Sequence, residues 1–283
     1  MKFRRLILFA LFLAALNTEA QKNITYAETA DGPQQLDLYL PANAQGTVPL
    51  IIWIHGGGWK NGSKENCLPV RLGVTERGYA VASINYRLTG TVPFPAQIED
   101  CKAAVRWLRV HAGRYGLNPD RFGVWGSSAG GHLVALLGTS GDVSAFDVGK
   151  NLDVSSRVQA VCDFYGPSDF TTMGTVSGFE RHARADSPES ALLGGTAQEK
   201  PETAKAASPV TYATPDDPPF LIMHGDRDGT VPLDQSRRMD AALRTAGVES
   251  ELIILPGAGH GGPAFSTPET TGRVASFFDR HLK

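Results

Sequence analysis

The stretch Gly126-Ser127-Ser128-Ala129-Gly130 constrains this chain more than any other. It follows an apolar, strand-like run, Arg121-Phe122-Gly123-Val124-Trp125. It precedes an apolar helical run, Gly131-His132-Leu133-Val134-Ala135-Leu136-Leu137. A G-x-S-x-G pentapeptide between a strand and a helix reads as a nucleophile elbow. So sharp a turn crowds the positions two residues either side of the serine, and glycine there avoids the collision. The turn would lift the Ser128 hydroxyl off the sheet, at the positive end of the next helix. The chain has 31 glycines, so chance matches to this pattern are common and the reading depends on partners for the serine downstream.

With 283 residues, 42% hydrophobic and 20% charged, the chain suits one large α/β domain with little left for a second. The net charge is −2 and no basic stripe exists, which argues against nucleic acid as a partner. Lys2, Arg4 and Arg5 precede an apolar core at residues 6–16, and Thr18-Glu19-Ala20 is an acceptable cleavage site. Residues 1–20 therefore read as a signal peptide and 21–283 as the mature domain, secreted or periplasmic. The apolar run is shorter than the roughly 20 residues a membrane span needs, and no later stretch is long enough. Three cysteines, Cys67, Cys101 and Cys162, allow one bridge in an exported protein. Cys67–Cys101 is the expected pair, with Cys162 a small core residue in an apolar strand. No C-x-x-C is present, so a structural zinc is not expected.

Taken in order, the chain opens with a hairpin. Ile24-Thr25-Tyr26-Ala27 leads to a turn at Asp31-Gly32-Pro33 and then to Leu36-Asp37-Leu38-Tyr39-Leu40, whose alternation fits a half-exposed edge pair. Residues 49–55 form a continuous apolar strand of the kind buried on both faces of a parallel sheet. Residues 71–78 look helical, 79–87 form a strand, and 96–109 an amphipathic helix. Asn118-Pro119-Asp120 reads as a turn before the elbow strand. Further strands are expected at 158–165, 220–224 and 250–255, with helices at 234–246 and 270–281. Residues 168–219 are rich in Ala, Ser, Thr, Pro and Glu with weak periodicity, and read as an excursion over the sheet, a small lid at most. Strands alternating with helices after an antiparallel start give an α/β sandwich with a mostly parallel central sheet. Its catalytic groups belong at the C-terminal strand ends.

A serine hydroxyl is a weak nucleophile that needs a base within hydrogen-bond reach, and the base needs an orienting carboxylate. Two loops downstream of Ser128 can supply them. His224-Gly225-Asp226-Arg227-Asp228-Gly229-Thr230-Val231-Pro232 follows a strand and offers two aspartates. Pro256-Gly257-Ala258-Gly259-His260-Gly261-Gly262 follows the last strand, and its glycines let the loop bring the His260 imidazole over the elbow. The other histidines sit in helices, in the excursion, or at strand ends, where His55 and His224 are expected to brace their loops. The oxyanion needs preorganised donors, and the Ala129 amide, just past the serine, is one. A G-x-G phosphate loop at Gly56-Gly57-Gly58 would need a helix opening directly and an acidic ribose partner, neither of which is evident.

These motifs resemble those of the α/β-hydrolase esterases. Their acid loop, H-G-x-x-D-x-x-V-P, aligns Asp228 as the acid and leaves Asp226 as a turn former bonding its own loop. His55-Gly56-Gly57-Gly58-Trp59 is similar to the HGGG motif of lipases and esterases, which implies Gly57 and Gly58 as oxyanion donors. Asn85-Tyr86-Arg87-Leu88 resembles the D-Y-R-L of hormone-sensitive-lipase-like esterases, with Asn85 in place of the aspartate at a position read as structural. The whole set is most similar to small secreted carbohydrate esterases of the bifunctional feruloyl and acetyl-xylan type. The resemblance implies an α/β-hydrolase fold and a Ser128–His260–Asp228 triad needing no metal or organic cofactor. It implies a small-molecule or polysaccharide ester as substrate, such as acetyl or feruloyl esters of plant polysaccharide. Lipase, aryl-ester or polyester hydrolase, peptidase and formamidase activities share the fold and stand as alternatives.

Overall fold

The structure is a computed structural model that describes residues 19–42 and 44–283. The expected signal segment lies outside the described residues except for Glu19 and Ala20, which open the first strand. That strand, β1 (Glu19–Thr29), pairs antiparallel with β2 (Gly32–Leu40) through a turn at Ala30-Asp31. Six more strands follow: β3 (Val48–Ile54), β4 (Ala80–Ile84), β5 (Leu117–Ser127), β6 (Ala160–Phe164), β7 (Phe220–Gly225) and β8 (Ser250–Leu255). They form one eight-stranded sheet in the order β1-β2-β4-β3-β5-β6-β7-β8. Pairing is antiparallel from β1 through β2 to β4 and parallel from there on.

The helices are α1 (Leu68–Arg71), α2 (Ala96–Val110), α3 (Ala129–Thr139), α4 (Pro188–Leu193), α5 (Pro201–Ala207), α6 (Leu233–Ala246) and α7 (Pro268–Leu282). The apolar run of β3 shows how the sheet is covered. Leu50, Ile52 and Ile54 belong to one core with α2, α3 and α6, whereas Ile51 and Trp53 belong to a second core with α7. Alternate side chains thus enter opposite layers, and every residue of β3 is buried, as a doubly covered parallel strand requires.

Several expectations change here. The three cysteines are free and buried. Cys101 on α2 packs in the first core, while Cys67, just before α1, packs in the second with Cys162. The sheet therefore lies between the expected pair, and no bridge can form across it. The helix expected at 71–78 is two pieces, α1 and a 3₁₀ turn at Val74–Arg77, separated by Gly73 at φ 68°. Asn118-Pro119-Asp120 is not a turn but part of β5. The ladder with β3 skips from Val48↔Leu117 to Leu50↔Phe122, an irregularity that absorbs the proline. Asp37, expected on an exposed face, is buried: Lys64 Nζ lies 3.0 Å and Lys22 Nζ 2.8 Å from its carboxylate, and the Asn23 amide donates to it at 2.9 Å. The excursion at 168–219 consists of α4, α5 and short 3₁₀ turns, too brief for a helical stripe to show in sequence. No helix among the described residues is long and apolar enough to cross a membrane.

Candidate active site

Ser128 stands between β5 and α3 with φ 56° and ψ −121°, a strained backbone for a residue with a side chain. The turn is held by its own hydrogen bonds, Ser128 N to Phe164 O at 2.8 Å and His132 N to Ser128 O at 2.9 Å. It closes so tightly that a Cβ on Gly126 would lie 2.2 Å from the Gly130 carbonyl oxygen. The sequence motif is thus a steric requirement of the turn.

The two downstream loops converge on that serine. His260 Nε2 is 2.9 Å from Ser128 Oγ, and His260 Nδ1 is 2.7 Å from Asp228 Oδ2. An ionised carboxylate only accepts, so Nδ1 carries the ring proton and Nε2 is free to take the hydroxyl proton of Ser128. Asp228 is buried and richly supplied with donors: its Oδ1 accepts from the Thr230 and Val231 amides at 2.7 and 2.9 Å. His224 Nε2 approaches its Oδ2 at 3.2 Å and the Val231 carbonyl at 3.0 Å. Both neighbours only accept, so that nitrogen bears the proton, and Ser236 Oγ meets Nδ1 at 2.7 Å. Burial alone would raise the Asp228 carboxyl. The hydrogen bonds from His224, His260 and the Thr230 amide outweigh it and hold the group well below the usual carboxylate range. Asp228 therefore stays ionised, as an orienting group must.

Asp226 does not bond its own loop. Its Oδ1 accepts from the Gly257 amide at 2.6 Å, so it ties the acid loop to the histidine loop. Both aspartates serve the convergence, one on the imidazole and one on the backbone that carries it.

The glycine-rich loop after β3 faces the elbow. Gly57, at φ 116°, has no room for a Cβ, which would lie 2.2 Å from the Asn61 carbonyl oxygen. Gly57, Gly58 and Ala129 line one cavity of about 740 Å³ together with Ser128 and His260. Ala129 is the first residue of α3, where amides have no partner inside the helix. His55 braces the loop as expected: its ring stacks on Tyr86 at 4.4 Å, and Tyr86 Oη donates to the His55 carbonyl at 3.0 Å. Asn85 likewise acts on the backbone, its Oδ1 accepting from the Lys64 amide at 2.7 Å.

Sequence reasoning missed several supports. Trp59 Nε1 donates to His132 Nδ1 at 3.0 Å, and His132 Nε2 donates to the Ala207 carbonyl at 2.8 Å. Since indole nitrogen only donates, this chain of bonds fixes a neutral His132. Complete burial agrees, lowering its pKa to about 4. The chain joins the glycine loop, the elbow helix and the end of α5. Tyr165, at φ 46°, packs edge-on to the His260 ring at 4.6 Å. His182, in the excursion, meets the Thr230 carbonyl at 2.9 Å. Only Trp59 had any signal, as the residue that closes the HGGGW phrase. The others are single polar or ring contacts between segments far apart in sequence.

A strand–elbow–helix carrying a serine, with acid and base on the loops after β7 and β8 of a mostly parallel sheet, defines an α/β-hydrolase fold. A family model described as BD-FAE matches residues 36–243, and the chain belongs to that family. Esterase LipQ of Mycobacterium tuberculosis is 34% identical over 215 residues, covering 75% of this chain and 50% of that one. The chain spans about half the length of the curated relatives it matches. Among solved structures, a truncated form of a carbohydrate esterase from gut microbiota superposes with a TM-score of 0.87 at 31% identity, over 95% of this chain and 98% of that one. A bifunctional GH43-CE protein of Bacteroides eggerthii gives 0.85 at 34% identity, over 93% of this chain and 35% of that one.

Proposed function

We propose that this chain is a serine carboxylic ester hydrolase working through an acyl-enzyme. The observation that carries the reading is the unbroken relay from Ser128 Oγ through both His260 nitrogens to Asp228, at 2.9 and 2.7 Å. Ser128 Oγ attacks the ester carbonyl carbon while His260 Nε2 takes its proton. The resulting oxyanion faces the amides of Gly57, Gly58 and Ala129. Collapse expels the alcohol, which leaves with the proton from Nε2, and water then repeats the sequence to release the acid. The relatives' names, an esterase and a carbohydrate esterase, support carboxylic esters as the bond class.

The finer reading is an exported enzyme acting on acetyl or feruloyl esters of plant polysaccharide. It is supported by the sequence resemblance, by the amino-terminal segment read as a signal and by the structural likeness to a carbohydrate esterase. The test is p-nitrophenyl acetate turnover with fluorophosphonate labelling of Ser128. Ser128→Ala is expected to lose several orders of magnitude in kcat. Near-normal turnover by that variant would overturn the mechanism. An ester panel of acetyl, butyryl and octanoyl chains, methyl ferulate and acetylated xylan ranks the acyl groups.

A further inference from the structure

The excursion contributes Arg181, Arg184, Asp186 and Glu189, beside His182, to the cavity wall. Arg184 Nε lies 3.0 Å from Asp186 Oδ1, and His182 Nδ1 lies 3.0 Å from Glu189 Oε2. Arg181 is different: among the described residues no carboxylate pairs with it. Its Nη2 instead donates to the Gly229 carbonyl and, at 3.0 Å, to the Thr230 carbonyl. The guanidinium carbon sits 5.2 Å from the centre of the Phe179 ring. Backbone and ring thus hold this solvent-exposed group in place while no carboxylate among the described residues pairs with its charge. Its Nη1 and Nε have no acceptor among the described residues. A guanidinium stays protonated at every accessible pH and presents a planar fork that fits a carboxylate.

The anchor also says which side of the cavity the charge occupies. Gly229 and Thr230 follow Asp228 directly, and the Thr230 amide donates to the Asp228 carboxylate at 2.7 Å. Arg181 is therefore fixed to the loop that orients His260. The glycine loop lines the same cavity and is covered by Pro188, whose Cβ lies 3.4 Å from where a Cβ on Gly58 would stand. In acyl transfer the imidazole delivers its proton to the leaving alcohol, so the alcohol part of the ester lies on the His260 side.

We propose that Arg181 recognises a carboxylate on the alcohol part of the ester, which makes the substrate class acyl esters of hydroxy acids and of acidic saccharides. This rests on the esterase reading of Ser128, His260 and Asp228. The test compares kcat/KM for 4-acetoxybenzoate with that for 4-acetoxybenzamide, equal in size and differing in charge, in the native chain and in Arg181→Gln. Because Arg181 also touches the acid loop, both rates fall together if that loop loosens, and the ratio cancels the shared loss. The native ratio is expected to favour the anion and to drop about threefold in Arg181→Gln, the effect of a partly exposed ion pair. The preference should also fade near 1 M salt, where charges are screened within about 3 Å. A ratio that the substitution leaves unchanged overturns the proposal. So does a substitution-sensitive preference for phenyl hemisuccinate, whose charge is on the acyl part. A chain that turns over p-nitrophenyl acetate but shows no charge preference sinks only the Arg181 assignment. One that turns over no ester at all sinks the esterase reading first.

Discussion

At the scale of single residues, the site depends on where one proton sits. Asp228 accepts from His260 Nδ1 and so keeps Nε2 open toward Ser128. Asp228→Asn would replace an acceptor with an amide that can donate to Nδ1. The ring would then carry its proton on Nε2, facing the nucleophile. We expect kcat for p-nitrophenyl acetate to fall by about four orders of magnitude, with far-ultraviolet circular dichroism unchanged. The same carboxyl links activity to acid stability. Its folded pKa lies below the unfolded value of about 4, so its contribution to stability is complete above that pH and is lost as pH falls toward the folded value.

Two other buried groups titrate in opposite senses. Burial lowers the His132 pKa to about 4, so the folded chain resists protonation there and loses stability as pH falls from about 6.5 toward 4. Burial raises the Asp163 pKa to about 6 against the Gly166 amide and the His224 charge, so the folded chain loses stability as pH rises from about 4 to 6. Each shift is worth about 3 kcal/mol, and in one window the two largely cancel. Asp163→Asn removes one member. Between pH 4 and 6 its melting temperature is expected to climb more, or fall less, with rising pH than that of the native chain. Equal slopes for the two proteins would refute the opposition.

At the scale of elements, the elbow shows sequence and geometry in closest agreement. Gly126→Ala would press a methyl carbon to 2.2 Å from the Gly130 carbonyl oxygen, a clash between two backbone segments that no rotamer can relieve. The expected result is loss of about 3 kcal/mol or more, read by urea unfolding, together with loss of activity. The parallel strands were legible for the same kind of reason: β3 and β7 are short, unbroken apolar runs because both faces are covered. The acid and base were legible because glycines and strand ends mark the two loops. What stayed hidden depends on partners distant in sequence. Asp37 keeps the alternation of an exposed strand face, yet Lys64 arrives from another loop to cover it. Gly73 breaks the helix expected at 71–78, although glycine within a helical pattern is often tolerated. Pro119 suggested a turn, but β5 accommodates it at a ladder irregularity. The walls of the cavity were least legible, since Arg181 and His182 stand on a 3₁₀ turn of four residues, Glu180–Ala183, with no periodicity to reveal it.

At the scale of the whole molecule, the antiparallel hairpin and the parallel core are joined by charge as well as by strand pairing. Lys64 and Asp37 are buried to 3% and 1% exposure, and Lys64 belongs to the segment that leads away from the glycine loop. Asp37→Ala would leave a buried ammonium with only the exposed carboxylate of Glu65 for company. We expect a cost of about 3 kcal/mol, measured by chemical unfolding. The two cores on either side of the sheet have a different consequence. Each holds at least one thiol out of water, and burial pushes the pKa of Cys67, Cys101 and Cys162 upward. A folded molecule should therefore be inert to maleimide, whereas an unfolded one takes up three labels. Pulsed alkylation read by mass spectrometry would then time the opening of each layer separately, with Cys101 as clock on one side and Cys67 and Cys162 on the other, and no engineered probe would be needed.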